Sequence, residues 1–151
     1  MKVGIASDHG GFDLKQVIAK LLQQSGFEVQ DFGNLVKDDQ DDFPDYIFPL
    51  SMAVASGELV RGIAFCGSGV GAAIAANKVA GVRASLVTDH FSAHQGVEDD
   101  DMNLLCLGGR ITGESVAKEI VTAFLAARFS GQEKYVRRID KIREMENRKA
   151  K

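Results

Sequence analysis

A cysteine and three closely spaced glycines are the residues of this sequence best suited to chemistry. Cys66 follows an apolar run that ends at Phe65, and Gly67, Gly69 and Gly71 come directly after it. This order predicts a buried strand, a tight loop and a helix start, which together point several backbone N–H groups into one small space. Those dipoles would stabilise an anion, or an oxyanion that forms during a reaction. A thiol beside a helix N-terminus loses its proton more readily, so we expect an enzyme in which this sulfur acts as a base.

Alternating strands and helices are expected to position this cysteine. Most predicted strands are continuous apolar runs, which is typical of a parallel sheet covered by helices on both faces. The predicted strands lie at 2–7, 27–32, 60–65, 82–87 and 103–107, and the predicted helices at 12–24, 46–56, 70–79, 88–97, 114–128 and 133–149. We therefore expect a single α/β domain over residues 1–151, with ligands bound beyond the carboxyl ends of its strands.

The composition restricts the partners and the compartment that can be expected. The chain has 151 residues, of which 45% are hydrophobic and 26% are charged, as in an ordinary globular domain. Its net charge of −3 gives no general attraction to nucleic acid or anionic lipid, and no apolar run is long enough to span a bilayer. Two cysteines that each follow a strand-like run fit a reducing cytoplasm better than a disulfide scaffold. We expect a cytoplasmic protein that binds neither nucleic acid nor membrane.

Other predicted strands also end in polar side chains. Asp8 and His9 follow the first strand, Asp89 follows the fourth, and Arg110 follows the fifth. Since the carboxyl ends of parallel strands share one edge of a sheet, these side chains should gather around Cys66. The first pair has two interpretations. Asp8 caps a helix after a turn, or Asp8 contacts a sugar hydroxyl while His9 contacts a phosphate or a hydroxyl.

The glycine loop also fits a dinucleotide-binding pattern. Residues 67–72 match G-x-G-x-x-A, and Asp89 follows the next strand, roughly 20 residues further on. An NAD(P)-binding oxidoreductase is therefore an alternative function. Against it, the motif lies in the middle of the predicted sheet rather than in the first β-α unit, and the chain has no room for a separate substrate domain.

A metal site on the fourth predicted helix is a further alternative. His90, His94 and Glu98 are spaced four residues apart and would share one helix face, which is a spacing of metal ligands. The first histidine falls at the helix start, and no glutamate follows it as in the zinc proteases. An acidic surface segment is the simpler interpretation, and no metal is expected.

Five segments of the chain resemble the ribose-5-phosphate isomerase B and galactose-6-phosphate isomerase family. The most specific is 65–84, FCGSGVGAAIAANKVAGVRA, because it joins the cysteine, the glycine loop and the following helix. The others are 5–15, 42–46, 107–113 and 137–142. The resemblance implies a Rossmann-like three-layer α/β/α sandwich with five parallel strands, and an enzyme that interconverts aldose and ketose sugar phosphates without a metal or organic cofactor. It also implies a homodimer or homotetramer with shared sites, in which the C-terminal helix (about 132–149) packs on a partner subunit.

Carried over by position, the resemblance gives roles to individual residues. Cys66 is the base that moves a proton between two sugar carbons through a cis-enediolate, and Ser68 and Asp99 are further catalytic candidates. The substrate-binding candidates are Asp8, His9, Gly67, Gly69, Val70, Gly71, Asp100, Arg110, Lys134 and Arg138.

The chain departs from the family where the sugar ring is opened. Asp99 and Asp100 stand where the family usually has histidine and asparagine, and that histidine is the residue to which ring opening is attributed. An aspartate is normally ionised at neutral pH and is then a poor general acid. Either its acidic neighbours keep it protonated, or His94 takes this part, or the substrate has no ring to open, as for a tetrose phosphate. The resemblance therefore does not fix the identity of the sugar phosphate. A non-catalytic sugar-phosphate-binding protein on the same fold is a third hypothesis.

Overall fold

Five parallel strands run through the centre of the fold, with helices on both faces. The structure is a computed structural model that describes residues 1–149. The strands are β1 (Lys2–Ser7), β2 (Glu28–Asp31), β3 (Arg61–Cys66), β4 (Ala84–Leu86) and β5 (Leu104–Gly108). The helices are α1 (Phe12–Gln24), α2 (Pro44–Ala55), α3 (Val70–Ala76), α4 (His90–Asp100), α5 (Glu114–Ala126) and α6 (Glu133–Lys149). The predicted three-layer α/β/α sandwich with a five-stranded parallel sheet is confirmed.

The strand order, β2-β1-β3-β5-β4, decides which loops meet. All residues of β3 and β5 are buried, as expected for the centre of a sheet covered on both faces. In the ladder Phe65 aligns with Ser7, and Cys66 aligns with Gly108. The carboxyl ends of β1, β3 and β5 are therefore level, and the loops that follow them start side by side.

Side chains of β3 alternate between two hydrophobic cores. Ile63 and Phe65 contribute to the core under α1 and α5, which is built from large aliphatic and aromatic residues. Ala64 and Cys66 face the other core, where they lie among small residues of α3 and the larger Ile47 and Leu50 of α2. The cysteine predicted to do chemistry therefore points to the sheet face that carries α3.

The predicted start of α2 is wrong by two residues. The helix begins at Pro44 rather than at position 46, since a proline at the first helical position has no N–H to leave unpaired and already has a helical φ. Pro49 consequently lies inside the helix, in its second turn.

The bounds of the fourth helix and strand also differ from those predicted. Asp89 caps α4, because its carboxylate accepts the N–H of Ser92 at 2.7 Å, and the helix starts only at His90. It ends where Asp101 takes a left-handed conformation (φ 50°), three residues beyond the predicted end at position 97. Strand β4 keeps only three residues of the predicted run. No helix in the part of the chain that the structure describes has the length and apolar character needed to cross a membrane.

A buried lysine fixes the chain that follows β2. The ammonium group of Lys15 is fully buried and donates to both carboxylate oxygens of Asp31, each at 2.8 Å. It also donates to the backbone carbonyl of Asn34 at 2.7 Å. Because a buried cation is tolerated only with such partners, α1, the end of β2 and the next loop are held in one arrangement.

Replacing Lys15 by methionine should lower the free energy of unfolding by about 2–4 kcal/mol, because Asp31 and the Asn34 carbonyl lose their cation. Urea unfolding followed by circular dichroism measures the loss. The matched control is Lys37→Met, which removes an equally short ion pair, with Asp13 at 2.8 Å, from the surface. We expect a much smaller loss in the control. Equal losses in the two variants would contradict a special role for the buried pair.

Candidate active site

The sulfur of Cys66 lies where β3 turns into the loop before α3. It accepts a hydrogen bond from the N–H of Gly69 at 3.0 Å, and the hydroxyl of Ser68 accepts the N–H of Val70 at 3.3 Å. The residue is 5% exposed, so it is nearly buried. The predicted juxtaposition of a thiol with backbone N–H groups at a helix start is therefore present.

Cys106 offers a comparison within the same chain. It lies on the same sheet face as Cys66 and is fully buried. Burial, and to a smaller extent the nearby Cys66, raises the pKa of the Cys106 thiol well above its usual value. Cys106 therefore behaves as a small apolar core residue.

The glycine loop is packed tightly against its neighbours. Gly69 has a φ of +84°, and a methyl group there would lie 2.6 Å from Cδ1 of Leu86 and 3.0 Å from the carbonyl carbon of Leu107. A methyl group on Gly71 would lie 2.9 Å from Cζ of the Phe43 ring. The loop thus sits on the end of β5 and against the Phe43 ring, directly before α2, which fixes the directions of its N–H groups.

The loop after β5 brings Arg110 to the same place. The N–H of Gly109 donates to the carbonyl of Cys66 at 2.8 Å, and the N–H of Arg110 donates to the carbonyl of Gly67 at 3.0 Å. The guanidinium of Arg110 lies beside Gly67, with Nη1 3.5 Å from the position that a Cβ would take there. Arg110 therefore adds a positive charge beside the backbone N–H groups of the glycine loop.

The loop after β1 completes this edge of the sheet. Asp8 is buried, and its Oδ1 accepts the N–H of Gly11 at 3.2 Å. The cap of α1 is Gly11, so Asp8 closes the turn before the helix rather than capping it. A methyl group on Gly10 would lie 2.7 Å from the backbone nitrogen of Gly67, which places the two loops in direct contact.

Asp41 is a site residue that the sequence interpretation missed. One of its oxygens lies 2.7 Å from Nδ1 of His9 and accepts the His9 backbone N–H at 3.1 Å, and the other accepts the Asn34 side-chain amide at 3.1 Å. The hydrogen bond with Asp41, together with the charges of Asp8, Asp41 and Asp39, raises the pKa of His9 against the opposing effect of burial. Burial alone would raise the pKa of Asp41, but the bonds from His9 and Asn34 outweigh it and the pKa is lowered.

The acidic end of α4 does not join Cys66 within one chain. Helix α4 starts beyond the carboxyl end of β4 and runs back along the sheet. Asp99 and Asp100 consequently lie near its other edge, where Asp101 forms an ion pair of 2.7 Å with Arg83, directly before β4. The length of β5 lies between this edge and the edge that carries Cys66. A single subunit therefore does not assemble all the predicted site residues.

The predicted substrate-binding residues Lys134 and Arg138 lie on α6, whose main contacts within the chain are with α4. The cationic groups of Lys134 and Arg138 lie 4.5 and 5.5 Å from the centroid of the Tyr135 ring. Asp99 accepts a hydrogen bond from the side-chain amide of Gln95 at 2.7 Å. The contacts of these side chains are therefore with residues outside the cluster around Cys66.

The residues proposed for a metal or a dinucleotide have other roles. Nδ1 of His94 lies 3.0 Å from Glu98, and the His90 ring meets the His94 ring edge to face at 5.5 Å. Within residues 1–149, no set of three ligand atoms converges on this helix face. The carboxylate of Asp89 is used by the cap of α4.

The fold and this cluster define an α/β protein with a thiol and a cradle of N–H groups at the carboxyl edge of a parallel sheet. A sequence profile of the family described as Ribose/Galactose Isomerase matches residues 3–142. Ribose-5-phosphate isomerase B of Escherichia coli is 39% identical over 148 residues, 98% of each chain. A D-erythrulose-4-phosphate isomerase of Pectobacterium atrosepticum is 37% identical over 131 residues, 87% of this chain and 86% of the relative.

A solved structure matches over nearly the whole chain. Ribose-5-phosphate isomerase B of Mycoplasma genitalium, solved with bound ribulose-5-phosphate, superimposes with a TM-score of 0.92 at 41% identity, covering 97% of this chain and 96% of that one. The chain belongs to the ribose/galactose isomerase family.

Alanine at Gly69 should lower the free energy of unfolding by about 2–5 kcal/mol, because a left-handed backbone and two sub-van-der-Waals contacts oppose its methyl group. Gly67→Ala is the control in the same loop. Its backbone is not left-handed, and its methyl group would meet only ordinary contacts, so we expect a loss of less than about 1 kcal/mol. Chemical unfolding of both variants provides the measurement. A tolerated alanine at 69 would contradict the described packing of the loop.

Proposed function

We propose that this protein is an aldose–ketose isomerase of a small sugar phosphate, and that Cys66 is its base. The observation that carries the proposal is the hydrogen bond between the Cys66 sulfur and the Gly69 N–H, in a chain of the ribose/galactose isomerase family. Relatives at 37–39% identity over most of their length are isomerases of this kind.

The proton transfers follow from this geometry. The thiolate of Cys66 removes the proton from the carbon next to the carbonyl. The C–H electron pair forms a carbon–carbon double bond, and the π electrons of the carbonyl move onto its oxygen to give a cis-enediolate. First-turn N–H groups of α3 have no partner within the helix and stabilise that oxygen, at about 3 kcal/mol for a well-placed donor. The thiol then returns its proton to the neighbouring carbon. The Ser68 hydroxyl carries the remaining proton between the two oxygens.

The anionic end of the substrate needs cationic partners. Arg110 and His9 lie at the same sheet edge as Cys66. We assign Asp8, whose Oδ1 accepts the Gly11 N–H, to a hydroxyl of the sugar. We assign the phosphate to the cationic side of this edge, together with Lys134 and Arg138 of a second subunit. No step of the reaction requires a metal or an organic cofactor.

The number of carbons in the substrate can be determined by a direct experiment. The two relatives are named for a five-carbon and a four-carbon sugar phosphate. Asp99 replaces the ring-opening histidine of the family, which favours a sugar that is already open. Tetrose, pentose and hexose phosphates incubated with the protein in D₂O should reveal the substrate, because turnover introduces deuterium at C1 or C2 in the NMR spectrum. Absence of exchange for every sugar phosphate, with binding retained, would favour a non-catalytic sugar-phosphate-binding protein.

Replacing Cys66 by alanine should reduce turnover by at least about 10³-fold, because the general base is lost. Sugar-phosphate binding, measured by calorimetry, should survive. Cys106→Ala is the matched control, since it removes the other thiol from the same sheet face, and it should keep most of the activity. Full activity of the Cys66 variant would remove this residue from the mechanism.

We further propose a dimer in which each subunit completes the site of the other. A groove of about 900 Å³ runs between β4, α4 and α6. Strand β4 pairs only with β5 and is an edge strand. On the apolar stripe of α6, Ile139 is buried while Ile142 and Met145 remain 46% and 52% exposed. An open sheet edge beside a half-covered apolar stripe fits a second copy of this chain, with the segment 132–149 packed on it.

This arrangement explains why Asp99, Asp100, Lys134 and Arg138 lie away from Cys66 in their own chain. They would reach the Cys66 cluster of the partner across a twofold axis, where self-complementary contacts occur in pairs. Both cysteines are free and buried, which supports the cytoplasm as the compartment.

A mixed dimer tests the shared site. Subunits carrying Cys66→Ala and subunits carrying Arg138→Ala, each with its own affinity tag, are coexpressed and the doubly tagged species is purified. Each homodimer should be nearly inactive at low substrate. The mixed dimer has one site with both defects and one site with neither, so it should recover about half of the wild-type activity. A mixed dimer as inactive as its parents would contradict sharing of sites.

A further inference from the structure

Asp41 contacts both the ring and the backbone of His9. A single oxygen of Asp41 lies 2.7 Å from Nδ1 of His9 and 3.1 Å from its backbone nitrogen. The Asp41 side chain is 3% exposed, whereas that of His9 is 27% exposed. The buried carboxylate thus holds the inner nitrogen of a ring whose outer part reaches solvent.

The position of Asp41 is itself fixed by the core. Its second oxygen accepts the side-chain amide of Asn34, whose backbone N–H donates to the carbonyl of Ser7 at 2.6 Å. The Asn34 carbonyl accepts from the buried ammonium of Lys15. Asp41 is therefore tied to the end of β1 and to α1, the elements that place His9.

We propose that Asp41 is a positioning residue that turns Nδ1 of His9 inward and leaves Nε2 as the donor that faces an anionic group of the substrate. The inference rests on the proposed function for the identity of that group, a phosphate monoester. A histidine with one nitrogen held by a carboxylate has a fixed tautomer and ring orientation, and its other nitrogen can act only at a fixed place. As a cation, the ring donates from both nitrogens.

Three carboxylates around His9 favour its cation. Asp8 precedes it in the chain, and Asp39 and Asp41 face it from the loop after β2; each of the three raises its pKa. The stabilisation this gives is fully present below the usual imidazole pKa of about 6.5 and is lost as the pH rises through the raised value. The pKa of Asp41 is lowered, so the stabilisation that its charge contributes is present at higher pH and is lost only as the pH falls through this lowered pKa.

A pH window for phosphate binding follows. A phosphate monoester becomes a dianion above pH of about 6. The dianion and the His9 cation coexist between that pH and the raised pKa of His9. Binding should therefore be strongest in this interval and weaken above it.

The chain has only three histidines, which makes the ring nitrogens of each one separable by ¹⁵N NMR. His9→Gln assigns the signals of His9. At a pH where His9 is neutral, the wild-type protein should carry the His9 ring proton on Nδ1, facing Asp41. A proton on Nε2 at that pH would overturn the proposal, and this test needs no substitution of Asp41.

The decisive variant is Asp41→Asn, which keeps the shape of the side chain and removes its charge. The His9 titration should move to lower pH, and inorganic phosphate binding at pH 7, followed by the His9 signals, should weaken about tenfold or more. Asp13→Asn is the matched control, since it removes an exposed carboxylate that binds the same loop through Lys37. It should change neither quantity.

The readouts separate this inference from the proposed function. An unchanged His9 titration, or unchanged phosphate binding, in the folded Asp41 variant would overturn it. If both change while the wild-type protein isomerises no sugar phosphate, the role of Asp41 stands and the proposed reaction fails. A merely structural role would lower the stability of the Asp41 variant and leave the tautomer and titration of His9 as in the wild type.

Discussion

The hydrogen bond from the Gly69 N–H to the Cys66 sulfur is the contact on which the site depends. It forms only because the chain reverses within three residues of the end of β3, and the left-handed backbone of Gly69 makes that reversal possible. The same turn starts α3 and aims its first N–H groups across the sheet edge. One backbone conformation thus places the proposed base and orients the N–H donors that would stabilise the enediolate oxygen.

The parallel sheet supplies the second constraint. Because β1, β3 and β5 are neighbours in register, their loops touch, and Arg110, Gly67 and Gly10 lie within one small region. The same directionality sends α4 back to the opposite edge. The chain therefore divides its predicted site residues between two places, and in the proposed dimer each subunit would supply the half that the other lacks.

Sequence interpretation succeeded where a local pattern determines the structure. Continuous apolar runs predicted all five strands, and the strand-glycine-helix order predicted the surroundings of Cys66. It failed at Asp41, because that residue lies in an acidic run typical of a solvated loop, and its burial depends on His9, 32 residues away. The separation of Asp99 from Cys66 could have been predicted from the direction of α4 alone, because a helix that follows a parallel strand runs back toward the opposite edge of the sheet.

The links from Lys15 through Asn34 and Asp41 to His9 join the site to one outer border of the sheet. Strand β2 is short, lies at the outer end of the strand order and contains no fully buried residue. Such a border opens locally at lower free energy than a central strand. Opening there releases the loop that steadies His9 while β3 and β5 stay intact. On heating, binding of the anion should therefore weaken at a lower temperature than the one at which the core unfolds.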